Sequence, residues 1–75
     1  MKHYVVGYTI DYEGSIIIGV FSTLKKAKKY FTEQEKKLFG DKYVYASEMS
    51  IVLWQGQKEK LIFEENYEQW KIKNI

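Results

Sequence analysis

Between Gly19 and Gly40 the chain reads GVFSTLKKAKKYFTEQEKKLFG: the end of a strand, a capping pair, one amphipathic run and a glycine stop. The rest of the fold has to be arranged around it, because it is the one sizeable helix available to cover a sheet. Ser22 or Thr23 can accept a hydrogen bond from a first-turn amide, and Gly40 suits the left-handed residue that follows a helix end. The spacing therefore predicts a helix over 22–39. At about 100° per residue, Leu24, Ala27, Tyr30, Phe31, Gln34 and Leu38 gather on one side, opposite Lys25, Lys26, Lys29, Glu33, Lys36 and Lys37. One side is a core face and the other is basic.

The segments on either side of this helix read as strands. From His3 to Tyr12 the even positions Tyr4, Val6, Tyr8, Ile10 and Tyr12 are apolar or aromatic, a period of two. Glu13-Gly14-Ser15 supplies a turn, and Ile16 to Phe21 returns as a second run, so residues 3–21 form a hairpin. Placing Ile10 opposite Ile16 sets Tyr8 against Ile18, Val6 against Val20, and Gly7 against Gly19. That register leaves Val5, Ile17 and Phe21 as an apolar set on the second face, to be covered by the C-terminal segment or by another molecule. After Gly40-Asp41, residues 42–55 alternate as one bent strand or two short ones. Tyr43, Tyr45, Met49, Ile51 and Leu53 lie on one side, and Val44, Ala46, Glu48, Ser50, Val52 and Trp54 on the other. Gln55-Gly56-Gln57 turns the chain into a last strand, 58–64. Asn66 then caps a short helix carrying Tyr67 and Trp70, with an extended tail as the alternative.

Seventy-five residues make one domain, close to the size at which a core only just offsets chain entropy. A 45% hydrophobic and 17% aromatic composition supplies enough apolar area to fold without a metal or a staple. With no cysteine, disulfides and thiolate metal sites are excluded. No run reaches the ~18 apolar residues of a membrane span, and the strand-like start lacks a secretory cleavage pattern, so the expected location is cytoplasmic.

Net charge is +2, but it is unevenly distributed. Residues 22–39 hold six lysines and two glutamates, giving +4; the remainder holds six lysines and eight acids, giving −2. Lys25, Lys26, Lys28 and Lys29 crowd the helix start, where the dipole already presents positive charge. With Lys36 they form a candidate surface for an acidic protein, a nucleic-acid phosphate or an acidic headgroup. The bland reading is a solvated face. Every basic residue is lysine, which removes the bidentate fork commonly used on base edges and hints at an A/T-rich coding source.

Catalysis finds little support. His3, the sole histidine, sits at a strand start with no cysteine or nearby serine to pair with. Asp11 with Glu13, and Glu64 with Glu65, are the close carboxylate pairs, of the kind that turns collect for solvation. No phosphate-cradling glycine loop and no RRM-type aromatic run is present. No enzyme activity, cofactor or metal site is expected.

Tyr12-Glu13-Gly14, then Gly19-Val20-Phe21-Ser22-Thr23 and Ala27, resembles a set of small bacterial and phage domains in which a hairpin ends in a G-V-[FY]-S-[ST] step into a helix. The likeness covers about residues 3–31. It implies a β-β-α-β fold and a bacterial, phage or mobile-element accessory setting, and it transfers no functional residue.

The expectation is an α+β domain in which an antiparallel sheet of about four strands, β-β-α-β-β, packs on one amphipathic helix, with a short C-terminal helix. The expected function is a protein-binding accessory module, an inhibitor or a self-associating subunit, using Val5, Ile17 and Phe21 or the lysines. The alternative is nucleic-acid binding through Lys25, Lys26, Lys28, Lys29 and Lys36.

Overall fold

A computed structural model describes residues 2–10, 14–40 and 46–73. Strands β1 (Lys2–Ile10) and β2 (Gly14–Phe21) precede helix α1 (Leu24–Gly40); β3 (Ala46–Gln55), β4 (Lys58–Asn66) and helix α2 (Tyr67–Lys73) follow. The four strands form one antiparallel sheet in the order β2-β1-β3-β4. This is the expected α+β architecture, and β3 is a single strand. The turn at Glu13 and the residues Tyr43, Val44 and Tyr45 lie outside the described residues.

Helix α1 starts as its sequence requires. Of the two capping candidates Thr23 is used: its Oγ1 accepts a hydrogen bond from the Lys26 amide at 3.3 Å, and its carbonyl accepts one from the Ala27 amide at 3.2 Å. At the other end Gly40 is the last helical residue and does not take the left-handed conformation; positive φ occurs at Gly14 (94°) and Gly56 (64°), both at hairpin turns. The stripe that α1 buries is Ala27, Phe31, Glu35 and Phe39, spaced by four, flanked by half-buried Leu24, Tyr30, Gln34 and Leu38. These meet Val6, Ala46, Met49 and Ile51 of the sheet. Phe31 meets Phe63 edge-on at 5.3 Å between ring centroids.

Helix α2 is capped reciprocally: Asn66 Oδ1 accepts from the Gln69 amide at 2.8 Å, and Gln69 Oε1 accepts from the Asn66 amide at 3.0 Å. Its Tyr67 and Trp70 lie 5.9 and 5.7 Å from the Phe39 ring, so the C-terminal segment packs on the side of the sheet that α1 covers. It does not cover the opposite face.

The expected hairpin register is corrected. Up to Gly7 the pairing joins like parities, Tyr8 with Ile16 and Gly7 with Ile17; then Ile18 is inserted as a bulge, and Val6 pairs with Gly19, Val5 with Val20, and Tyr4 with Phe21. The two glycines do not meet. Val20 moves to the outer face, and Phe21 moves to the helix side, where its ring lies 5.0 Å from that of Tyr30. Gly19 is what admits Tyr30: a Cβ there would stand 2.8 Å from the Phe21 ring and 2.9 Å from the Tyr30 ring. The Tyr30 hydroxyl donates to the carbonyl of Ile18 at 3.0 Å, satisfying backbone that the bulge withdraws from the ladder.

Gly19→Val is expected to lower stability by about 1–3 kcal/mol, from overpacking against two rings. Tyr30→Phe should cost about 1 kcal/mol, for one hydrogen bond to a partly buried carbonyl. Urea denaturation followed by circular dichroism measures both.

Candidate functional site

Pairing across the four strands aligns outward-facing side chains in rows. One row crosses the whole sheet as Val20, Val5, Val52 and Leu61, each directly opposite the next. On one side of it lie His3, Trp54 and Glu59; on the other, Ile17, Gly7, Ser50 and Glu64, and then Ser15, Thr9, Glu48 and Asn66. Ile17 is 67% exposed, Val20 56% and Leu61 52%. A shallow groove crosses this apolar row, lined by Gly7, Ile17 and Ser50 on one side, by Val5 and Val52 on the row itself, and by Trp54 on the other side. Gly7 is bare because β2 runs close beside it: a Cβ would stand 2.8 Å from the Ile16 carbonyl oxygen.

Electrostatically this face is acidic toward its far end. Burial, and then repulsion from Glu64, push the Glu48 carboxyl above the ordinary range. The candidate lysines Lys25, Lys26, Lys28, Lys29 and Lys36 are exposed on α1, on the opposite side of the molecule. The structure therefore does not bring the two candidate sets together. Val5 and Ile17 stay on the outer face, Phe21 leaves it, and Val20, Val52, Trp54 and Leu61 complete it.

A second feature lies on the covered side. Glu35 of α1 and Glu65 of β4 are 8% and 5% exposed, and each has one buried oxygen, Glu35 Oε2 and Glu65 Oε1, that no amide or hydroxyl of the described residues reaches. The other Glu65 oxygen accepts a hydrogen bond from Lys73 Nζ of α2 at 2.7 Å. One proton shared between the carboxyls resolves the arrangement, with Glu35 as donor. Burial first, then the hydrogen bond to Glu65 and its charge, push Glu35 up to about 7. Burial alone would raise Glu65 too, but the hydrogen bonds from Glu35 and Lys73 outweigh it and hold Glu65 below the usual range. Three elements are joined at this point, away from the outer groove. Among the described residues, no group of three or more His, Cys, Asp or Glu side chains converges as a metal site requires, and no helix is long and apolar enough to cross a membrane. Sequence reasoning passed over Glu35, although its i+4 spacing from Phe31 and to Phe39 places it on the buried stripe.

The pair makes stability depend on pH. From the ordinary carboxylate range up to about 7 the folded chain keeps a proton on Glu35 that the unfolded chain has released, so the pair's stabilisation falls as pH rises through that window. Below the ordinary range the depressed Glu65 acts in the opposite sense, and stability falls as pH drops through its folded value. Glu35→Gln keeps a donor for Glu65 and removes the first titration. The expected result is a flatter melting-temperature profile between pH 5 and pH 7 and a variant more stable than the parent at pH 8; parallel profiles for variant and parent would contradict the shared proton.

No protein-family model, curated protein or solved structure matches the chain.

Proposed function

We propose that the chain is a protein-binding accessory module whose contact surface is the outer face of the sheet. The observation that carries this reading is the unbroken apolar row Val20, Val5, Val52 and Leu61, which spans all four strands on the side that neither helix covers. An apolar band with one tryptophan beside it and a polar margin has the composition of a protein interface. Nucleic-acid binding fits this geometry less well. Base stacking needs rings bordered by cations, whereas Trp54 has Glu59 beside it in the sheet and the α1 lysines lie on the far side. Most other rings, including Tyr4, Tyr8, Tyr30, Phe31 and Phe39, pack toward the core.

Nitrogen-15 NMR tests the assignment directly, because Trp54 and Trp70 each carry one indole N–H, and the two sit on opposite sides of the sheet. On raising the protein concentration, or on adding an extract of the source cells, the Trp54 indole and the Val5, Val52 and Leu61 amides should shift or broaden. The Lys25–Lys29 amides should not. Perturbation confined to the lysine turn, or DNA or RNA binding that weakens steeply with salt, would overturn the proposal.

A further inference from the structure

Resting on that reading, we infer that the partner of the outer face is a cationic amphipathic helix, laid along the row Val20, Val5, Val52 and Leu61 with its basic side chains over the β3–β4 end. Three observations lead to it.

The first is charge. Glu48, Glu59 and Glu64 project from the outer face, and no lysine of the described strands joins them: Lys2, Lys58 and Lys60 alternate to the other side of the sheet. Among the described residues the ion pair formed is Lys73 with Glu65, on the covered side. Glu64 adds to the upward push on the Glu48 carboxyl, a like-charge contact with no cation to relieve it. A partner that brings lysine or arginine to this end supplies the missing counter-charge, and one that brings acid is repelled.

The second is dimension. Three strand spacings of about 4.8 Å make the row about 14 Å long, the length of about ten helical residues. Glu59 on one flank and Glu64 on the other each stand one row from it, about 7 Å along the strand. A helix with its side chains is about 10–12 Å across, so an apolar stripe can rest on the row while cations on both of its shoulders reach the two carboxylates. The groove seats it: Gly7 and Ser50 form a low floor on one side, and Trp54 forms a wall on the other.

The third is backbone. β1 and β3 are paired on both sides, so the middle of the face offers an incoming chain no backbone hydrogen bonds. An extended segment laid there would leave its own amides and carbonyls unpaired, whereas a helix satisfies its own. A second copy of this chain does not meet the requirement. Its outer face brings more acid, and the exposed positions of its α1 carry lysines and no large apolar side chain. The contact is smaller than a standard interface, so the expected affinity is on the order of 10 to 100 μM.

The test is titration of the nitrogen-15-labelled full chain with three synthetic helical peptides of about 14 residues, which share one leucine stripe and carry lysine, glutamine or glutamate elsewhere. The lysine peptide should shift the Trp54 indole and the Val5, Val52 and Leu61 amides. It should bind about tenfold more tightly than the glutamine peptide at low salt and lose that advantage in about 0.5 M salt. The glutamate peptide should leave these signals unmoved. Glu59→Lys combined with Glu64→Lys, both at exposed positions, should reverse the order of the lysine and glutamate peptides with an unchanged circular dichroism spectrum. Two outcomes overturn the inference. A glutamine or glutamate peptide that moves Trp54 as strongly as the lysine peptide would remove the cationic partner and leave the outer face as the contact surface. A Trp54 indole silent with all three, or shifts confined to Trp70 and the α1 amides, would remove both.

Discussion

The contact of Tyr30 with the backbone at Ile18 and Gly19 governs which way half of the second strand faces. The ring occupies the space left by the absent Gly19 side chain, and its hydroxyl takes up the Ile18 carbonyl. The bulge is thereby accommodated on the helix side, and every residue beyond it changes face. Phe21 becomes part of the core and Val20 part of the exterior. Without that one-residue insertion Gly19 would lie opposite Val5, the apolar row would stop at β1, and Phe21 would face outward opposite His3.

Charge is sorted along with the side chains. α1 presents its lysines to solvent, while the opposite surface of the sheet carries Glu48, Glu59 and Glu64 around an apolar band. A thin molecule, 16 Å through its shortest extent, thus separates a basic side from an acidic one. Because the cationic and aromatic surfaces are not adjacent, a ligand that needs both meets only one of them at a time. The Glu35–Glu65–Lys73 set between the layers is the exception to this sorting: α1, β4 and α2 meet there, with the Lys73 ammonium on Glu65 and the Glu35 carboxyl pushed up by burial and by Glu65.

Much of this was legible beforehand. Period-two runs, the Thr23 cap, the Asn66 cap and the Gly14 and Gly56 turns are local signals, and local signals specify elements. The β3–β4 pairing could also be counted back from its two-residue turn, which sets Trp54 opposite Glu59 and Val52 opposite Leu61. What could not be read is where a ladder slips. The insertions at Ile18 and Ile62 leave no mark on hydrophobic periodicity, because isoleucine suits either face. Glu35 was hidden for the opposite reason: a charged residue on a buried stripe is discounted until a partner is found across space, and that partner, Glu65, is thirty residues away in the chain.

The second strand has one more consequence. From Gly14 to Phe21 it holds no charged side chain and no proline, and it forms a margin of the sheet, whereas the other margin, β4, is guarded by Lys58, Glu59, Lys60 and Glu64. Unpaired backbone on so neutral a border is a template for any extended peptide, including a partly unfolded copy of the same molecule. Disorderly growth would therefore begin at this margin when the chain is crowded or warmed.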